Sequence, residues 1–394
     1  MKMLLGSYYE GVEIHREDKM VYGRFLVPHR VLSTCYAAGG LREDLSFLYN
    51  HQCCEPTGHH RPVHALACRD PHAYRRITCE SVGIEDQKCA ALATAANMHF
   101  ASVRHERFRH LEVVAVCTGG VETNAGRAGD PASVYEHEGV FEKLGSREPV
   151  EHGTINTLLF INRELTPGSM VRAIITATEA KTAALQELAV PSRYSDGLAT
   201  GTGTDQIGVA ARLGTGIPLT GSGKHCVLGE LIGKTVHDAV RETLMLQNQL
   251  TPEGQGSAVA HLERFGTNHS LLSDLTASHL GEADRTLLRD NFSVIERDPL
   301  VVAAVAALVH LRDKVVWGTL PSGCVPEIWA GYGAQIAAAV SGNPGRLEVY
   351  RKTLAEARYP FTNEGLLALA SHAIALGFAE KWPDAAIEEA SNAH

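Results

Sequence analysis

The chain has 394 residues, with 36 lysines and arginines against 45 aspartates and glutamates, for a formal net charge of −9. Its length exceeds the usual single-domain range of about 100–200 residues, so two domains are expected. Apolar content of 44% and charged content of 21% mark an ordinary globular protein, and an acidic balance without a Lys/Arg run excludes nucleic acid or an anionic membrane as the main partner.

The 37 glycines and only 6% aromatics favour tight turns and close backbone approaches over an aromatic-rich core. No apolar run reaches the ~18 residues a membrane span needs. The first residues, with one lysine, a short apolar pair and then Tyr8-Tyr9-Glu10, do not read as a signal peptide, so the expected location is cytoplasmic. Nine cysteines (35, 53, 54, 68, 79, 89, 117, 226 and 324) form an odd set without a CxxC pair. Most are expected to be small buried residues with free thiols, and a structural zinc site has little support.

In chain order, residues 10–34 read as extended, through alternating or continuous apolar runs that include Val12, Ile14, Tyr22, Val27 and Val31. Gly39 and Gly40 break this segment. Residues 72–78 suit a short helix or strand, and 86–98 reads as an alanine-rich helix. Residues 111–117 form a buried strand by length and β-branching, ending in Thr118-Gly119-Gly120. Residues 154–162 make a second strand. Pro167-Gly168 leads into a helix over 169–188, where Met170, Ala173, Ala177, Ala180, Ala184 and Leu188 keep helical spacing. A short strand at 207–211 and a helix at 232–250 follow. Hairpin-like strands first and βα alternation later predict an α+β fold with a mixed-sheet layer core.

Thr251-Pro252-Glu253-Gly254-Gln255-Gly256-Ser257 reads as a linker. Beyond it, helices are expected at 282–292, 300–317, 328–340, 346–356 and 364–380, separated by Pro321, Pro326, Pro344 and Pro360. The predicted organisation is one domain over 1–250 and an all-helical C-terminal region over 251–394, with a frayed acidic tail after Trp382.

Chemistry concentrates in a few segments. Thr176-Ala177-Thr178-Glu179-Ala180-Lys181-Thr182-Ala183-Ala184-Leu185 packs hydroxyls, a carboxylate and an ammonium into one helix; Thr178, Lys181 and Thr182 share a face, with Glu179 about 100° around from Thr178. Thr200-Gly201-Thr202-Gly203-Thr204-Asp205 follows, offering backbone N–H groups to an anion or a carbonyl oxygen. Thr118-Gly119-Gly120-Val121-Glu122-Thr123-Asn124-Ala125-Gly126-Arg127 comes directly after a buried strand, where ligands gather in open sheets. Ser33-Thr34-Cys35 also ends a strand; its serine and threonine suit hydrogen bonding, and a lone Cys35 suits a structural role more than attack. A histidine- and cysteine-rich stretch (His51, Cys53, Cys54, His59, His60, His64, Cys68, His72) contains no HExxH, which leaves a catalytic metal as a minority reading and His51 as an acid/base candidate. Gly221-Ser222-Gly223-Lys224-His225 is not a phosphate loop, since Pro218 and His225 stand where that motif needs glycine and Ser/Thr.

Taken together these segments resemble the adenosylcobinamide amidohydrolase (CbiZ-like) family of corrinoid salvage, over about residues 20–250. The resemblance rests on Leu32-Ser33-Thr34-Cys35 with Gly39-Gly40, Ala93-Thr94-Ala95-Ala96, Thr118-Gly119 through Gly129, Gly153-Thr154-Ile155-Asn156, the 176–185 helix and the 200–205 turn, in the family's order. Cys35 and Tyr36 stand where a small residue and proline are expected, and Ala38 where asparagine is common. The resemblance implies hydrolysis of the amide joining the corrin ring to the aminopropanol arm of adenosylcobinamide, giving adenosylcobyric acid; adenosylated complete cobamides are a further candidate substrate. The expected catalytic set is Glu179, Asp205, Thr178, Lys181 and Asn124, with Glu179 or Asp205 as general base, or Thr178 or Thr204 as covalent nucleophile. The expected substrate contacts are Ser33, Thr34, Gly39, Gly40, His51, Thr94, Thr118, Glu122, Arg127, Asn156, Thr202 and Thr204. No metal and no cofactor are expected, the corrinoid being the substrate; the other partner left open is a second copy of the chain in a homodimer. The alternatives are a non-catalytic corrinoid-binding protein and a metallohydrolase acting on another amide.

Overall fold

The computed structural model describes residues 2–58, 62–144 and 153–382. Two compact units divide between Thr251 and Pro252.

The first unit is built on two sheets. The first contains β1 (Met3–Tyr8), β2 (Val12–Glu17), β3 (Met20–Phe25), β6 (Phe47–Gln52) and β7 (Cys89–Thr94), in that order across the sheet. All its pairings are antiparallel except β6 with β7, which run parallel through a crossover containing α1 (Pro62–Arg69) and α2 (Pro71–Ser81). The second sheet has the order β5 (Gly40–Arg42), β4 (His29–Ser33), β15 (Gln206–Arg212), β13 (Ile155–Ile161), β9 (Leu111–Gly119) and β8 (Ser102–Phe108). There β13 and β15 are parallel, joined through α3 (Pro167–Glu187). Two short ladders stand outside these sheets, β10 (Ala125–Gly126) with β14 (Gly201–Thr202), and β11 (Val134–His137) with β12 (Val140–Lys143).

Why the sheets face each other is visible in their side chains. Val12, Ile14, Leu48 and Leu92 from the first sheet bury against Val31, Val114, Val116, Leu158 and Phe160 from the second. The approach is close enough that Gly23 lies against the Phe160 ring, and a Cβ on Gly208 would stand 2.6 Å from Leu48. The outer face of the second sheet is covered by α3 and by α4 (Val227–Asn248), through Met170, Ala177, Ala184, Ile232, Val236 and Leu244. The outer face of the first sheet packs Tyr22, Tyr49 and Cys89 on Cys79 of α2. All nine cysteines are free thiols, five of them buried.

Several boundaries follow from capping. Asp70 accepts from the Ala73 N–H and Pro71 opens α2, so the 72–78 segment is helix rather than strand. Thr166 and Pro167 start α3 in the same way. The alanine-rich helix expected over 86–98 is not formed. Asp86–Lys88 makes one 3₁₀ turn and Cys89-Ala90-Ala91-Leu92-Ala93-Thr94 is strand β7, paired in parallel with β6. A strand buried on both faces has a continuous apolar run with no period of two, and alanine lets it pass for helix.

The second unit is helical: α5 (Pro252–Gln255), α6 (Ala258–Leu262), α7 (His269–Ala277), α8 (Glu282–Glu296), α9 (Pro299–Val316), α10 (Val325–Ser341), α11 (Leu347–Ala357) and α12 (Asn363–Ala379). Its core joins Leu288, Phe292, Leu308, Trp329, Ile336, Leu369 and Phe378. The expected linker contains the single turn of α5, α7 lies where no helix was expected, and the expected acidic tail falls outside the described residues. No helix among the described residues is long and apolar enough to cross a membrane.

One buried histidine gives the fold a pH signature. His29 on β4 donates from Nδ1 to the Val27 carbonyl (2.7 Å) and its Nε2 meets the Tyr9 hydroxyl (3.0 Å). Burial lowers its pKa from 6.5 to about 4. The unfolded chain therefore binds the extra proton between those values. Stability is full above pH 6.5 and falls as pH drops towards 4, by up to roughly 3 kcal/mol from this residue. Urea denaturation at pH 7 and pH 4.5 should show a smaller difference for His29→Gln than for the wild type.

Candidate functional site

The polar motifs meet at one end of the two sheets. Ser33 at the end of β4 sits opposite Gly208, Gln52 at the end of β6 opposite Thr94 at the end of β7, and Thr118 near the end of β9 opposite Asn156, which is in turn beside Gln206. The carboxyl ends of four strands thus gather beside the amino ends of β13 and β15.

A buried amide network joins the sheets there. Asn156 donates from Nδ2 to Asn50 Oδ1 (2.8 Å) and to the Ala93 carbonyl (2.9 Å), while its Oδ1 accepts from the Gln206 N–H (3.1 Å). Asn50 donates in turn to Thr118 Oγ1 (2.7 Å), and the Gln206 side chain accepts from the Ala93 N–H (3.0 Å). Asn50, Asn156, Thr94 and Thr118 are all buried. Thr94 turns its hydroxyl to the Ala96 N–H (3.0 Å), shaping the Thr94-Ala95-Ala96 corner.

Beside this network lies the turn over residues 201–205. Asp205 accepts from the Ile155 N–H (2.8 Å), the Thr202 N–H (3.0 Å), the Thr202 hydroxyl (2.6 Å) and the Lys181 ammonium. A carboxylate has about four lone-pair sites, so its acceptor capacity is filled. Gly201 is required for close approach: a Cβ there would collide with the Asp205 carboxylate and come 2.8 Å from Lys181 Nζ. Thr204 Oγ1 donates to the Gly153 carbonyl (2.8 Å) and contacts Thr154 Oγ1 (2.5 Å). Asn124 donates from Nδ2 to the same carbonyl (3.0 Å) and to Thr204 Oγ1 (3.4 Å), and its Oδ1 accepts from the Tyr194 hydroxyl (2.7 Å). The turn offers fewer backbone donors than its sequence suggests. The Thr202 N–H is bound to Asp205 and the Thr204 N–H to Thr202 Oγ1 (3.3 Å), whereas the exposed Gly203 N–H has no partner among the described residues.

Of the expected residues, Asn124, Lys181, Thr202, Thr204 and Asp205 come together, with Thr118 and Asn156 in the adjoining network. Glu179 and Thr178 do not join them. Glu179 lies about 200° around α3 from Lys181 and pairs in the open with Lys224 (2.6 Å); Thr178 is exposed and its hydroxyl donates back to the Ile174 carbonyl (2.9 Å). Ser33 touches Cys35 Sγ (3.2 Å), and Thr34 clasps Ile207 through its N–H and its hydroxyl, which ties β4 to β15. Gly39 and Gly40 lead from that strand into β5, Gly40 with a left-handed φ of 79°. Glu122 is exposed and lines a small cleft of about 20 Å³ with Ala95, Ala96, Gly120 and Gly153. Arg127 braces the loop from inside, donating to the Leu198 carbonyl (3.2 Å).

His51 differs from its expectation. It is enclosed beside Tyr74, whose hydroxyl meets Nδ1, and burial lowers its pKa to about 4. It is neutral at pH 7, outside the range that suits an acid/base group there. No three of His, Cys, Asp and Glu among the described residues form a group able to hold a metal ion, and His59 and His60 lie outside those residues.

Sequence reasoning passed over Asn50, Gln206, Thr154 and Tyr194. Asn50 had a visible signal, an amide directly after the apolar run Phe47-Leu48-Tyr49. Tyr194 had none, since its partner Asn124 is 70 positions away.

The two carboxylates predict different stability effects. Asp205→Asn removes an acceptor from a turn in which the Lys181 side chain is only 13% exposed, and should cost about 2–4 kcal/mol in urea denaturation. Glu179→Gln breaks a pair whose side chains are 46% and 65% exposed and should cost less than about 0.5 kcal/mol.

Two comparisons with known proteins bear on this site. The chain is 40% identical, over 184 residues, to an uncharacterised protein of Methanocaldococcus jannaschii, an alignment covering 45% of this chain and 71% of that protein. The model of the CbiZ family, adenosylcobinamide amidohydrolase, matches residues 5–252, which takes in the whole first unit from β2 through α4 and every motif gathered at the sheet ends. The chain belongs to the adenosylcobinamide amidohydrolase family.

Proposed function

We propose that this protein hydrolyses the amide linking the aminopropanol arm to the corrin periphery of adenosylcobinamide, releasing 1-amino-2-propanol and leaving a carboxylate on the ring. Membership of the family supports the reaction class. The observation that carries the reading is the Asp205–Lys181 pair, set in a glycine- and threonine-rich turn beside a buried amide network. Amide cleavage needs an attacking oxygen, a group to take its proton and positive charge at the oxyanion.

Lys181 and the Gly203 N–H supply the charge and the donor for the carbonyl oxygen. As Lys181 turns to that oxygen, Oδ2 of Asp205 is released to take a proton from water. The water oxygen bonds to the carbonyl carbon, Asp205 passes the proton it took from water to the amide nitrogen, and the C–N bond breaks to release the neutral amine and leave the acid on the ring. Water is the attacking group in this reading because, among the described residues, the hydrogen-bond partners of Thr204 Oγ1 are Gly153, Thr154 and Asn124, none of them a carboxylate or an imidazole. Thr204 and Thr154 then serve as hydrogen-bonding groups for the carboxamide rim.

The direct test incubates the protein with adenosylcobinamide and, separately, with an adenosylated complete cobamide, and follows release of aminopropanol and the corrinoid products. Release from adenosylcobinamide is expected. Lys181→Met and Asp205→Asn should each lower kcat by about 10²-fold or more, whereas Glu179→Gln should stay within a few-fold of wild type. A binding protein without hydrolysis would retain the corrinoid unchanged. An acyl-enzyme on Thr204, trapped and located by mass spectrometry, would replace water with that hydroxyl as the attacking group.

A further inference from the structure

The strands of the β11–β12 hairpin contain no buried residue. All eight residues of its two strands are exposed, with Val140 68% and Phe141 67% accessible. A two-stranded hairpin alone is marginally stable in water, and clustered exposed apolar side chains mark contact surfaces.

Its position ties it to the site. The Asp130 carboxylate accepts from the Arg127 N–H (2.7 Å) and the Ser192 hydroxyl (2.6 Å), which fixes the chain just past β10, and β10 itself pairs with Thr202 of the catalytic turn. Val134 follows Asp130 by four residues, so the hairpin base lies within about 14 Å of that anchor. At the base, the Leu144 N–H bonds to the Ser133 carbonyl (2.9 Å).

Register separates the two faces. Tyr135 opposes Glu142 and His137 opposes Val140, so these four share one side; Val134, Glu136, Phe141 and Lys143 share the other. On the first side the Tyr135 and His137 rings run nearly parallel, 13° apart with centroids at 6.0 Å. Two aligned rings and Val140 make an apolar platform, edged by a carboxylate able to accept from an amide N–H.

We propose that this Tyr135–His137–Val140 face is the part of the substrate site that holds the flat, apolar body of the macrocycle, with Glu142 accepting from a rim carboxamide. The inference rests on the corrinoid reading above. It assigns ring recognition to the hairpin and bond cleavage to the turn beside β10.

The test measures adenosylcobinamide turnover by Tyr135→Ser/Val140→Ser and by Phe141→Ser, a control on the opposite face. These side chains are exposed, so Tm should stay within about 2 °C of wild type for both. The double variant should raise KM tenfold or more with kcat within twofold, and Phe141→Ser should leave both constants unchanged. An unchanged KM in the double variant, or an equal rise in Phe141→Ser, overturns the proposal. So does a wild-type dimer in sedimentation that the double variant converts to monomer, since a second copy of the chain would then occupy the face. Absence of aminopropanol release by wild type rejects the hydrolytic reading instead. In that case adenosylcobinamide binding by equilibrium dialysis decides the hairpin: weaker binding by the double variant supports it, and equal binding overturns it.

Discussion

The Asn156 amide is the constraint on which the first unit's chemistry depends. It sits near the start of β13, and both ends of its side chain are used across strands and across sheets, to Asn50, Ala93 and Gln206. Each buried polar atom left without a partner would cost about 1–3 kcal/mol. The first sheet must therefore present Asn50 and Ala93, and the second Asn156 and Gln206, at the same depth. Apolar packing between the sheets is non-directional and tolerates sliding; the amides do not. They set the register in which the ends of β6, β7 and β9 and the starts of β13 and β15 arrive together.

Once that register is fixed, the surrounding turns need little further instruction. Asp205 gathers the Ile155 and Thr202 N–H groups and the Lys181 ammonium, which holds α3 against the turn. Gly201 and Gly153 leave room where side chains would collide; a Cβ on Gly153 would stand 2.8 Å from the Gly120 carbonyl. Hydroxyls of Thr154, Thr202 and Thr204 fill the gaps with short donors that carry little conformational entropy. The density of Gly, Thr and Asn in the motifs is thus the composition needed to bring several backbones close without leaving unsatisfied groups.

The helix carrying the Thr176–Leu185 motif serves two surfaces. Lys181, Thr182 and Gln186 face residues 199–205, Thr182 through the Thr200 carbonyl (3.1 Å) and Gln186 through the Ala199 carbonyl (2.9 Å). Thr178 and Glu179 face solvent, and Thr176 points inward to the Ser222 carbonyl (2.9 Å). Polar residues adjacent in sequence are thereby divided among three environments by the 100° step of the helix. The second unit has its own core and lies beyond the family match, apart from Pro252.

The sequence by itself determined the α+β class, the family, β9 and β13, the long helices α3 and α4, and most C-terminal helices, because length, period and proline or glycine punctuation act locally. It also pointed to the Thr200–Asp205 turn, whose residue types have few other uses. Tertiary structure decided what depends on distant partners. The alanine-rich Cys89–Thr94 became a strand because β6 lay beside it, and Asn50 and Tyr194 entered the site through residues at least 68 positions away. Between the two carboxylates named as general-base candidates, Asp205 and Glu179, composition offered no distinction. Only the fold placed one in a closed cage of donors and the other in water, since burial and hydrogen bonding belong to the assembled chain and not to the residue type.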